Sequence, residues 1–162
     1  MRTARGRAAP PQAPARLDLR FGASPDQVRA ALAEARAFLA AAGMPDAACG
    51  TAEIVLAEVL NNVAEHGYDM RGEGEVRLAL TLGGTRLAAD ITDRGKALPG
   101  LCPPPGRRPA LGGRAADLPE GGFGWFLIHT LTEALHYRRA DGRNHLHLEI
   151  DLGAQDGCPE QA

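Results

Sequence analysis

Glu58-Val59-Leu60-Asn61-Asn62-Val63-Ala64-Glu65-His66-Gly67-Tyr68 closes an apolar run with a line of polar side chains. The run predicts a helix from about Asp46 to His66, stopping at Gly67, with Ile54, Val55, Leu56, Val59, Leu60 and Val63 covering most of its circumference. Such a helix is deeply buried. Glu58, Asn62 and His66 fall at i, i+4 and i+8, one polar line along it. A solvated edge would give the same line, but two adjacent asparagines in mid-helix run against helix propensity. A carboxamide oxygen four residues from a carboxylate can hold a hard cation while the carboxylate accepts a proton or orients a water.

Upstream, Leu17, Leu19 and Phe21 alternate with Asp18 and Arg20, as in a half-buried strand. Ser24-Pro25-Asp26-Gln27 announces a helix, with Ser24 as N-cap and Gln27 closing a capping box. Val28, Leu32, Ala35 and Leu39 form its buried stripe, and Gly43 before Pro45 ends it. Downstream, strands over about 74–82 and 85–92 join through Gly83-Gly84, a helix spans about 123–134, and strands over 135–139 and 144–152 turn at Asp141-Gly142. The expected fold is α+β: a two-layer sandwich, mainly antiparallel or mixed in its sheet, with helices on one face. One domain over 16–152 accounts for the pattern, leaving tails at 1–15 and 153–162 without a periodic apolar face.

Two further places stand out. Asp93-Arg94-Gly95 leaves a strand with a carboxylate able to accept from an exocyclic amine, although a simple turn would look the same. Gly121-Gly122-Phe123-Gly124 opens into Trp125-Phe126-Leu127-Ile128, exposing amides at the positive end of a helix, where a polyphosphate is well received. Between Arg94 and Gly124 lie six of the 12 prolines and eight of the 20 glycines, too many for a packed element.

Helical E-x-x-x-N, D-x-G after a strand, a long loop and G-x-G at a helix start, in that order, resemble the Bergerat-fold (GHKL) ATPases. Within them, Glu58 to Tyr68, Asp93-Arg94-Gly95 with Pro99, and Gly121 to Ile128 resemble the N box, adenine box and second glycine box of the anti-sigma-factor serine/threonine kinases. The resemblance implies ATP and Mg²⁺ as cofactors. It implies Glu58 as general base, Asn62 as the Mg²⁺ ligand, Asp93 as reader of the adenine amine and Gly95 as lining of the base pocket. Gly122 and Gly124 would present amides to the phosphates, and the segment over 94–121 would be an ATP lid, stiffened by Pro103-Pro104-Pro105 and hinged at Gly112-Gly113. His66 matches the family's histidine and is expected to fix the helix end. Many relatives carry a second glycine where Ala97 stands, and a Gly-Thr pair where this chain has Gly142, Arg143 and Asn144, so Asn144 would supply an amide in place of the hydroxyl. The implied partners are a STAS-type antagonist, which is phosphorylated, and a sigma factor, which is sequestered; relatives are commonly homodimers. The alternatives are a nucleotide-binding partner-switch module without phosphotransfer and a separated histidine-kinase-type ATPase subunit.

Composition narrows the remaining classes. Eighteen basic and twenty acidic residues give a formal charge of −2, which offers no global case for direct nucleic-acid or anionic-lipid binding. No apolar run reaches the roughly 18 residues of a membrane span, and no secretory apolar core is seen, so a cytoplasmic location is expected. Cys49, Cys102 and Cys158 lack CxxC spacing, and Ser24 is the only serine, which excludes a serine-nucleophile elbow. His145 and His147, with His136 and Arg138 nearby, offer no obvious carboxylate to complete a zinc site and are expected on a wet or dimerising sheet face.

Overall fold

A computed structural model describes residues 13–69, 74–106 and 122–153. The expected lid hinge at Gly112-Gly113, the first glycine of the second box, Gly121, and nearly all of both expected tails lie outside the described residues. Within them the chain runs β1 (Ala15–Gly22), α1 (Pro25–Ala41), α2 (Asp46–Asn62), β2 (Glu75–Gly83), β3 (Arg86–Asp93), α3 (Phe123–Leu131), β4 (Ala134–Ala140) and β5 (Arg143–Asp151). The strands form one sheet in the order β1-β2-β3-β5-β4. Every pair is antiparallel, so the mixed alternative drops out.

Period-two alternation builds the core. Val76, Leu78, Leu80 and Leu82 of β2, Leu87, Ala89 and Ile91 of β3, and Leu146, Leu148 and Ile150 of β5 turn to one face and are buried there. Leu39 of α1, Val55, Leu56, Val59 and Leu60 of α2 and Ile128 of α3 close over them. α2 packs against both other helices. Its stripe is therefore the widest, as its apolar pattern predicts.

Local details shift some boundaries. Ser24 Oγ accepts the Gln27 N–H at 3.4 Å, but the Gln27 carboxamide reaches back to the Gly22 N–H, two residues before the cap. The β2–β3 turn is Gly84-Thr85: Gly83 still pairs with Arg86, and Gly84 takes the positive φ of +62°. Asp141 and Gly142, both at positive φ, make the expected two-residue turn with Ala140 paired to Arg143. α3 ends at Leu131 because Thr132 is already extended, its hydroxyl donating to the Ile128 carbonyl at 2.7 Å. The α2 helix stops at Asn62 and widens into a π-turn over Val63–Gly67.

The other face of the sheet is open. Arg20, Arg77, Thr92, His145 and Arg138 stand side by side across it, and the next row holds Asp18, Ala79, Asp90, His147 and His136. His147 Nδ1 lies 2.8 Å from Asp90 Oδ1 and Nε2 3.4 Å from Glu149 Oε1, with the His136 ring stacked 6.4 Å away. Carboxylates thus do adjoin the histidines, contrary to the sequence expectation. Even so, no group of three or more His, Cys, Asp or Glu among the described residues could hold a metal. No helix among them is long and apolar enough to cross a membrane.

The Asp90 hydrogen bond, more than Glu149, raises the His147 pKa above its ordinary value near 6.5 against a desolvation cost. The stabilisation is therefore complete below the unfolded value and is lost as pH rises through the folded one. Melting curves between about pH 5 and 8 should show a shallow fall in Tm that Asp90→Asn flattens; an unchanged slope in the variant would assign the titration elsewhere.

Candidate functional site

The end of α2, the exit of β3 and the start of α3 meet around one cleft on the helix side of the sheet. Asn62, His66, Asp93, Ala97, Trp125 and Asn144 are among its lining residues. The π-turn over Val63–Gly67 carries Val63, His66 and Gly67 to the same cleft as Asn62.

Asp93 and Asn144 are the two buried polar residues among those described, 5% and 6% exposed. Asp93 Oδ1 accepts the Gly95 N–H at 2.7 Å and Asn144 Nδ2 at 2.8 Å. No hydrogen bond to Oδ2 forms among the described residues, so this oxygen is the one left for an incoming donor. Burial pushes the Asp93 carboxyl above the usual carboxylate range, and the Asn144 and Gly95 hydrogen bonds with the Arg139 and His145 charges oppose the rise in part.

Asn144 is fully engaged by the protein. Its Nδ2 also reaches the Lys96 carbonyl at 3.0 Å and the Gly95 carbonyl at 3.4 Å. Its Oδ1 accepts Tyr137 Oη at 2.8 Å and Arg139 Nη1 at 2.5 Å. Arg139 Nη1 also reaches the Gly95 carbonyl at 2.9 Å, and Tyr137 Oη accepts the Leu98 N–H at 3.2 Å. Asn144 thus holds Asp93 and the segment after it, where sequence reading had it facing a ligand. Tyr137 and Arg139 escaped that reading. The Asp141-Gly142 turn was the available signal, since its register sets Arg139 opposite Asn144.

Gly95 sits behind the cleft wall. A Cβ there would stand 2.8 Å from the Gly67 Cα and carbonyl oxygen, and the Lys96 N–H donates to that carbonyl at 3.0 Å. Ala97, two residues on, lines the cleft itself. Tyr68 braces the same exit: its hydroxyl accepts the Arg94 N–H at 2.8 Å, and its ring fills the place of a Gly74 side chain.

Asn62 Nδ2 is buried without a hydrogen-bond partner, the one such side-chain atom among the described residues. An unpaired buried amide costs about 1–3 kcal/mol, which the fold carries at a cleft. Glu58, one turn earlier, lies outside the cleft lining. Its Oε2 occupies the space over Gly124, where a Cβ would fall 2.3 Å away. Gly122 caps α3 at φ +113°, a conformation suited to glycine, and its carbonyl accepts the Phe126 N–H at 3.0 Å. The structure therefore gathers Asn62, His66, Asp93 and Asn144 at one cleft and sets Glu58 against Gly124 at the adjoining helix start.

A two-layer sandwich whose helix side holds a mainly apolar cleft with a few convergent polar groups is a ligand-binding architecture, and known proteins share it. The chain belongs to the histidine kinase-like ATPase domain family, whose model matches residues 21–150. It is 32% identical over 96 residues to the serine-protein kinase RsbW of Halalkalibacterium halodurans, covering 56% of this chain and 55% of that protein. It is 32% identical over 91 residues to the serine/threonine-protein kinase BtrW of Bordetella bronchiseptica, covering 56% of this chain and 62% of the relative. The matches thus span little more than half of each curated relative. Among solved structures, the RsbU and RsbW domains of Rv1364c from Mycobacterium tuberculosis share the fold, with a TM-score of 0.57 at 19% identity over 84% of this chain and 31% of that one.

Because the Gly95–Gly67 contact is backbone against backbone, Gly95→Ala should destabilise the fold by about 1–3 kcal/mol, read by urea unfolding. Wild-type stability in that variant would show that the β3 exit is free to move off the helix.

Proposed function

We propose that this chain is an ATP- and Mg²⁺-dependent serine/threonine protein kinase that regulates transcription as an anti-sigma factor, phosphorylating a STAS-type antagonist and sequestering a sigma factor. The observation that carries the reading is the meeting, in one cleft, of an Asn62 Nδ2 without a partner and an Asp93 Oδ2 without a donor among the described residues. The family match and the names of the two kinases at 32% identity support it.

In this reading Asp93 Oδ2 accepts the adenine amine, and its fixed partner Asn144 keeps Oδ1 from competing. Asn62 Nδ2, without a hydrogen-bond partner among the described residues, would donate to an acceptor of the ligand such as a phosphate oxygen, while Oδ1 of the same amide would hold Mg²⁺, which would neutralise phosphate charge. The backbone N–H groups at the start of α3, beside Gly122 and Gly124, receive the phosphates. Glu58, poised over Gly124, takes the proton of the substrate hydroxyl as its oxygen bonds to the γ-phosphorus and the bond to ADP breaks. His66, exposed at the cleft rim in the π-turn, shapes the end of α2.

Incubation with labelled ATP and a panel of STAS-type domains should give phosphoprotein, and Glu58→Ala should cut transfer by about 100-fold or more. No transfer by wild type, or transfer unimpaired in Glu58→Ala, would overturn the mechanism. Magnesium-ATP should raise the Tm, and Asn62→Ala should shrink that shift.

The raised Asp93 pKa adds a pH dependence. Protonation removes the acceptor for the adenine amine, so the ATP-induced Tm shift should fall as pH drops toward mildly acid values at which an ordinary aspartate stays ionised. A shift that holds constant down to the ordinary carboxylate range would exclude Asp93 as the adenine acceptor.

A further inference from the structure

The inner polar network has an outer counterpart. Asp93, Asn144 and Arg139 serve the cleft, and their chain neighbours Arg94, Arg143, His145 and Arg138 come together around an open concavity on the bare face of the sheet, with Asp141 at its rim. A second concavity adjoins it, sharing Arg94, Arg143 and His145 and adding Arg20 and Arg77. On this face Arg20 pairs with Glu75, Arg77 with Asp18 and Arg86 with Glu133. Arg94, Arg138 and Arg143 make no ion pair among the described residues. In a chain of net charge −2, three unpaired guanidiniums beside a histidine are a local excess.

We propose that this patch is a docking site for an acidic segment of a partner protein, one presenting several carboxylates along an extended backbone. The shape of the patch favours that ligand. Arg20, Arg77, Thr92, His145 and Arg138 form a row across all five strands. At about 4.8 Å per strand the row is roughly 19 Å long, the span of about six extended residues. Arg94, Arg138 and Arg143 ring one concavity, and the row carries on past it through His145 and Thr92 to Arg77 and Arg20, a reach that a single phosphate would leave unused. A long polyanion such as duplex nucleic acid would also overlap the neighbouring rows, where Asp18, Asp90, Glu149 and Asp151 repel it. Because Arg94, Arg143 and Arg138 directly adjoin Asp93, Asn144 and Arg139 in sequence, the docked segment would lie back to back with the cleft. The proposal does not rest on phosphotransfer.

The test uses the full chain and a fluorescein-labelled hexaglutamate peptide, with binding read by anisotropy at low salt. Wild type should bind, and Arg138→Glu with Arg143→Glu should weaken binding by about tenfold or more. Arg29→Glu, on α1 at the helix layer, should leave it unchanged, and a wild-type Tm in each variant confirms folding. Three results would each overturn the assignment: no peptide binding by wild type, equal affinity in the double variant, or stronger competition by inorganic phosphate or a single-stranded oligonucleotide of equal charge.

Discussion

The hydrogen bond between Asp93 and Asn144 is the constraint on which the site depends. A carboxylate buried this deeply is costly unless its lone pairs are met. Here one oxygen is met twice, by a side-chain amide and by a backbone N–H. That arrangement ties the end of β3 to β5, and through the Asn144 oxygen it also recruits Tyr137 and Arg139 of β4. The same asparagine reaches the backbone of Gly95 and Lys96, and Tyr137 reaches Leu98. Three strand ends and the segment leaving them are one hydrogen-bonded unit. Among the described residues, Asp93 Oδ2 at the cleft is left without a donor.

Much of the fold was legible in the residues. The alternation in β2 and β5, the broad apolar surface of α2 and the Asp141-Gly142 turn each carry a period or a backbone requirement that local sequence states directly. Of the residues singled out for a site, Asn62, His66, Asp93 and Asn144 line one cleft, while Glu58 meets Gly124 outside its lining. What remained hidden was long-range. Asn144 looked free to face a ligand because its five partners come from segments up to 51 residues away. Gly95 looked like a pocket lining because its contact with Gly67 crosses from β3 to the end of α2. The one-residue shift of the β2–β3 turn arose because three successive positions, Gly83, Gly84 and Thr85, all tolerate a turn, and only strand pairing chooses among them.

The candidate residues of the helix layer fall in two adjoining places. Asn62 and Asp93 share the cleft proper, while Glu58 meets the start of α3 through its contact with Gly124. α2 supplies both Glu58 and Asn62, so the helical repeat sets their separation and packing against α1 and α3 holds the pair in place. A core helix packed on both sides holds its side chains with little freedom, which would suit the proposed site, working by position and charge.

The π-turn over Val63–Gly67 bears on chain length more than on composition. A π-turn holds one residue more than an α-turn, so deleting one residue there would close it to an ordinary turn and take away one of the side chains it carries to the cleft. Side chains in this turn can be exchanged with local cost, but its residue count cannot. A change of length at the end of α2 would accordingly reach the cleft even when made at an exposed position such as Glu65.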